Sequence, residues 1–265
     1  MSILVVGIDL SGPSNTADTV LTLFRAEGGN ELGGEAGRPS GIGMPLVHVY
    51  HGIGDLDILR VCEAAAGGGL RAGSGSDANE VRKVVVGLDA PLSYNPGGGD
   101  RPADAALRKR LSAAGLKPAT VMAPTMTRMA YLTLRGVAVA RLLSTWASAL
   151  PGVELVIYEV HPGGVMALRG ALPEDVRELK REMAARLRLC DWFAAEGTLD
   201  IGAGGSTLLE VAGETATAAE NAAGVPSDHA IAACAAALGA WHASAGRPSW
   251  LYPAEPPLHP FAVCC

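Results

Sequence analysis

The sequence predicts an α/β fold in which helices flank a mixed five-stranded sheet. Three observations predict it. Apolar, β-branched runs at residues 3–8, 84–88 and 155–158 read as strands buried on both faces. Three strand-like segments follow one another at the N-terminus with no helix between them, which suits an antiparallel meander. Beyond them helical and strand patterns alternate, the signature of a layered α/β domain. The chain has 265 residues, 49% of them hydrophobic and 18% charged. Domains run to about 100–200 residues, and no internal repeat divides this chain, so residues 1–265 read as a single domain. The composition excludes intrinsic disorder. A net charge of −6 excludes a globally basic nucleic-acid binder, though not a local basic face.

Residues 3–8 form the first strand, residues 19–24 the second and residues 46–50 the third. A Gly-rich excursion near residues 28–43 joins the last two. Residues 55–66 read as a helix, and a second Gly-rich excursion spans residues 67–79. The strand at 84–88 leads through a turn-rich stretch to a helix at 103–114, with Pro102 suited to a first helical position and Asp104 and Arg108 spaced to pair. Residues 129–150 look like a long buried helix, and residues 155–158 like the third buried strand. Val176, Leu179, Met183 and Leu187 recur at helical spacing and predict one helix over 175–190. A final helix over 227–243 has Ser227 as its expected N-cap.

Three buried strands end the same way. Ile8 leads to Asp9, Leu88 to Asp89 and Tyr158 to Glu159. Ligands of open α/β sheets gather beyond the carboxyl ends of the strands. Converging carboxylates repel one another unless a cation joins them, and an all-oxygen set suits Mg²⁺ or Mn²⁺. Asp228, in the first turn of the last helix, shares a stripe with Ile231 and Leu238 and should face the sheet. His229, next in sequence, should point about 100° away.

These residues carry a resemblance. A first strand ending in Asp, a second ending in Asp or Glu, and a last helix bearing Asp resemble the ribonuclease H-like superfamily. The stretch Gly87-Leu88-Asp89-Ala90-Pro91-Leu92-Ser93 is followed by Gly97-Gly98-Gly99, Arg101, Asp104 and Leu107-Arg108. Then come Met129, Leu132-Thr133-Leu134-Arg135-Gly136 and Tyr158-Glu159-Val160-His161-Pro162. In that order they resemble the family of predicted ribonuclease H-like nucleases known as domain of unknown function 429, over roughly residues 5–239. The resemblance implies a three-layer fold and a divalent-metal-dependent phosphodiester hydrolase, with Asp9, Asp89, Glu159 and Asp228 as catalytic and metal-holding residues. Members usually carry a second Asp one helical turn after the first on the last helix, and this chain has only Asp228 there.

From residue 101 to residue 141 the chain carries eight basic residues and one acid, Asp104. A basic face beside carboxylates suits a nucleic acid or another phosphodiester. Arg101, Arg108, Arg128 and Arg135 are the expected substrate-binding residues, with His161 placed beside Glu159 on the same strand face. Aromatic stacking platforms are nearly absent there, with only Tyr131. Asp200-Ile201-Gly202-Ala203-Gly204-Gly205-Ser206-Thr207 resembles the second phosphate loop of actin-like ATPases and sugar kinases. An ATP-binding protein is therefore one alternative, and a non-catalytic protein with a decayed site is another. Cys62, Cys190, Cys234, Cys264 and Cys265 show no CxxC spacing and read as reduced thiols. No stretch approaches the ~18 apolar residues of a membrane span, and no signal peptide is evident. The expectation is a cytoplasmic protein without a membrane partner, compatible with a homodimer.

Overall fold

The computed structural model describes residues 2–27, 47–67, 81–195 and 225–265. The excursion at 28–43, nearly all of that at 67–79 and the glycine loop at 200–207 lie outside these residues. The described chain forms one sheet of seven strands, not five, flanked by helices. The strands are β1 (Ser2–Asp9), β2 (Val20–Glu27), β3 (His48–His51), β4 (Val81–Asp89), β5 (Glu154–Val160), β6 (Leu251–Tyr252) and β7 (Ala262–Cys264). Their order is β3-β2-β1-β4-β5-β7-β6. Strands β1, β4, β5 and β7 are parallel, while β2, β3 and β6 run antiparallel to their inner neighbours.

The two extra strands have two and three residues. A segment that short shows no alternation, and the prolines around it read as loop. The strands form because the chain end returns to β5, with His161 donating to the Cys264 carbonyl and Cys265 to that of Trp250. They cover what is otherwise an open strand edge.

Both faces of the central strands are buried, which is why β1 and β4 read as continuous apolar runs. Leu4, Val6, Ile8, Val84, Val86 and Leu88 share a core with Val139, Ala140 and Leu143 of α3 (Thr127–Ser148), joined by Ile58 and Val61 of α1 (Asp55–Gly67). Val5 and Val85 point the other way, to a core dominated by α7 (Asp228–Ser244). Helix α7 lies almost on the strands. A Cβ at Gly7 would sit 2.0 Å from the Ala233 carbonyl oxygen, and one at Gly87 would sit 2.2 Å from that of Ala236. Only glycine at both positions lets the helix approach this closely, and it brings the first turn of α7 to the ends of β1 and β4. Ser227 caps that turn by accepting from the Ala230 amide at 3.1 Å.

Helix α2 (Pro102–Ala113) starts at its proline as expected. Pro162 does more than end a strand: it opens α4 (Pro162–Leu168), with His161 as N-cap. The helix expected over 175–190 is two, α5 (Pro173–Glu178) and α6 (Met183–Ala195). Met183 and Leu187 of the predicted stripe are exposed, while α6 buries Ala185, Leu189 and Phe193. The polar run Lys180–Glu182 has no apolar anchor and forms the break between them. All five cysteines are free, and burial pushes the thiols of Cys62, Cys234 and Cys264 up to about 12.

Candidate functional site

Asp9 and Asp89 end adjacent parallel strands in register. They therefore leave the same face of the sheet, the one that Gly7 and Gly87 open to α7. The Asp9 and Asp89 carboxyls face each other closely enough to interact directly. Enclosure by the fold and the neighbouring Asp9 charge hold the Asp89 carboxyl well above the usual carboxylate range. Lys180, in the break between α5 and α6, pulls the other way through its charge.

The third member of this group is His229. Its Nδ1 lies 2.6 Å from Asp9 Oδ2. That hydrogen bond, reinforced by the charges of Asp9, Asp228 and Asp18, raises the His229 pKa against the opposing effect of burial. The expected orientation of the last helix is thus off by one residue. His229 meets the carboxylate, whereas half-buried Asp228 acts on the group through its charge. The sequence signal was the Ser227 cap: it fixes where the helix begins, and the close approach at Gly7 fixes how it is turned.

Glu159 belongs elsewhere. It is paired in register with Leu88, so its side chain leaves the sheet face opposite to Asp9 and Asp89. Its carboxylate accepts from the Leu92 amide at 2.8 Å and from Arg101 Nη1 at 2.7 Å, and Arg101 Nη2 contacts its other oxygen. Arg101 also grips Asp104, from Nη2 at 2.6 Å and Nε at 3.0 Å. Arg101, Asp104 and Glu159 are all buried. Flanked by two carboxylates, the Arg101 guanidinium is held charged, its pKa raised above the usual value against the pull of burial.

Three of the four expected substrate-binding arginines are engaged within the protein. Arg101 is the buried partner of Glu159. Arg135 is buried and donates to the Ser11 carbonyl, to Thr19 Oγ1 and to Asp55 Oδ1, each at 2.8 Å. Arg108 donates to Asp100 at 2.8 Å and to the Val121 carbonyl at 2.9 Å, so the expected Asp104–Arg108 pair gives way to Arg101–Asp104 and Arg108–Asp100. Only Arg128 of the four is exposed. The basic run was read as a surface because a charge count does not show which cations meet buried carboxylates. His161 is not on the strand. Its Nδ1 accepts from the Gly164 amide at 2.9 Å, and its Nε2 faces the Thr120 carbonyl at 3.1 Å. Two such partners fix a neutral ring with the proton on Nε2, and burial lowers its pKa. It holds the start of α4.

Among the described residues no group of three or more His, Cys, Asp or Glu side chains is arranged to hold a metal ion. No helix among them is long and apolar enough to cross a membrane. The fold and site define an α/β protein with a facing carboxylate pair at the carboxyl end of its parallel strands. The chain belongs to the DUF429 family of proteins of unknown function, which it matches over residues 52–256. That match includes Asp89, Arg101, Glu159 and His229, whereas Asp9 and His259 lie outside it. No curated protein and no solved structure matches the chain.

Proposed function

We propose that the chain is a divalent-metal-dependent phosphodiester hydrolase of ribonuclease H-like type, acting through Asp9 and Asp89. The observation that carries this reading is the facing carboxyl pair, Asp9 and Asp89, in register at the ends of neighbouring parallel strands. Two adjacent, enclosed carboxylates that repel one another would suit one hard cation, Mg²⁺ or Mn²⁺, with Asp9 and Asp89 as the residues to hold it. Such an ion, when bound, supplies a Lewis acid and lowers the pKa of its water. Asp9 and Asp89 bind and orient it. His229, its pKa raised by its contact with Asp9, would present its Nε2 proton to a leaving oxygen. Lys180, whose charge acts on Asp89, is the cation that would meet phosphate. In this reading Glu159 and Arg101 support the loop after β4 and leave the metal to the opposite face.

The rival non-catalytic reading draws on the lack of a three-ligand group among the described residues. A Mn²⁺ titration followed by melting temperature, together with hydrolysis of bis(4-nitrophenyl) phosphate, separates the two. The expected result is a Mn²⁺-induced rise in melting temperature and Mn²⁺-dependent turnover. Both should be lost in Asp9→Asn and Asp89→Asn, with turnover reduced at least ~100-fold. A wild-type protein that neither shifts with Mn²⁺ nor cleaves the diester overturns the proposal.

A further inference from the structure

The conspicuous stretch at residues 87–93 ends on a serine that the carboxylate pair does not use. Ser93 Oγ lies 2.9 Å from His259 Nδ1 and 3.0 Å from Arg101 Nη1. A guanidinium only donates, so Oγ accepts from Arg101. Among the described residues the one acceptor in reach of the Ser93 proton is then His259 Nδ1. The hydroxyl is thus polarised from both sides: a cation on its lone pair, a base on its proton. The backbone of His259 is fixed by paired hydrogen bonds with Glu255, at 2.7 Å and 2.9 Å. Arg101 is fixed by Glu159 and Asp104. Nothing in the expected hydrolase reaction calls for this arrangement, which lies on loops after β4 and before β7.

We propose that Ser93 and His259 form a second reactive site, with the Ser93 hydroxyl as nucleophile toward neutral carboxylic esters and His259 as its base. It is independent of the Asp9–Asp89 reading. The thiols do not compete for the role, since burial holds Cys62, Cys234 and Cys264 at about 12. Local charge sets the substrate class. One arginine between Glu159 and Asp104 leaves a net negative charge beside Oγ, which repels a phosphate dianion and tolerates an uncharged carbonyl. Ser93 is 9% exposed, and the exposed apolar residues Tyr94 and Leu258 adjoin Ser93 and His259 in sequence.

The step balances without a cofactor. Oγ bonds to the carbonyl carbon, its proton passes to His259 Nδ1, and the carbonyl electron pair moves onto oxygen. Collapse expels the alkoxide, which takes the proton from His259 and leaves an acyl-serine. Water then attacks the acyl carbon by the same route, releasing the acid and restoring Ser93.

The test is labelling of the full chain with a fluorophosphonate probe, in which Ser93 displaces fluoride from phosphorus, read by peptide mass mapping. A single adduct on Ser93 is expected. It should be absent in Ser93→Ala and at least ~100-fold slower in His259→Gln. Labelling should proceed with chelator present, which separates it from the metal-dependent reaction. 4-Nitrophenyl acetate should be hydrolysed with the same dependence on both residues. No adduct on Ser93, an adduct that requires Mn²⁺, or wild-type labelling in His259→Gln overturns the proposal. Should Ser93→Ala fail to fold, the mapped position and the His259→Gln rate decide it.

Discussion

The carboxyl ends of the central strands carry two carboxylate groupings, one on each face of the sheet. On the α7 face Asp9 and Asp89 face each other, and among the described residues the side chain ion-paired with them is His229, which is 31% exposed. On the other face Glu159 meets Arg101, whose guanidinium also holds Asp104. Strand register alone separates them: Asp9 pairs with Asp89, while Glu159 pairs with Leu88. One residue of offset turns a potential third ligand into a buried ion pair. The difference teaches what each group is for. A carboxylate with a full-time arginine is structurally satisfied and has little left for a metal. A carboxylate pair beside a partly exposed imidazole is unsatisfied in a way that a cation or substrate can relieve.

The largest expected effect breaks the satisfied side. Arg101→Met keeps much of the side-chain volume but leaves Glu159 and Asp104 buried without their cation. Removing one partner of a buried pair costs about 3–5 kcal/mol. Urea unfolding at neutral pH should show a loss of that order. A loss below about 1 kcal/mol would mean that water reaches the pair and that the two faces do not differ as described.

How much of this was legible beforehand follows from the same contrast. Strands β1, β4 and β5 announced themselves because burial on both faces makes their residues uniformly apolar. Asp9 and Asp89 were legible because each closes such a run. Glu159 looked equivalent because a sequence shows where a strand ends but not how its neighbours are registered. Arg101 looked like a surface cation because its two acids are local in one case, at Asp104, and 58 residues away in the other, at Glu159. His229 was hidden by the rotation of α7, which depends on where Gly7 and Gly87 let the helix settle. Strands β6 and β7 were hidden by length, since their pairing comes from the returning chain end and not from any alternation of their own.

The second prediction has the opposite sign and sharpens the contrast. Asp89→Asn should stabilise the metal-free protein at pH values above the ordinary carboxylate range. The native Asp89 pKa stands well above 3.8 because of burial first and Asp9 second. As pH rises past the ordinary carboxylate range, the unfolded chain ionises there while the folded chain resists. Stability therefore falls with rising pH until the native group has also ionised. Asparagine removes that penalty and still offers Asp9 a hydrogen-bond donor. The gain should vanish near pH 3, where both states keep their proton. Melting curves across that range check it, and a variant less stable than wild type at every pH would show that Asp89 is a satisfied group like Glu159.

The smallest effect concerns His229. Its pKa is raised, mainly by the hydrogen bond to Asp9 and against the cost of burial. A raised histidine pKa contributes stability that is fully present below the unfolded value near 6.5 and is lost as pH rises through the folded value. The contribution should be modest. His229 keeps 31% of its side-chain surface and Asp9 14%, so solvent screens the pair. The ring also stands in the first turn of α7, where the helix dipole disfavours a cation. About 0.5–1 kcal/mol is the expected size. His229→Gln should then be destabilised relative to wild type near pH 5.5 and indistinguishable from it near pH 9. The measurement is the difference between two urea-unfolding free energies at each pH, in chelator, so that no metal contributes. A difference that grows with pH would mean that His229 is neutral when it matters to the fold and that its contact with Asp9 is a hydrogen bond between a neutral ring and a carboxyl. A difference that shrinks with pH identifies His229 as the cation that the α7 face uses in place of the arginine found on the other.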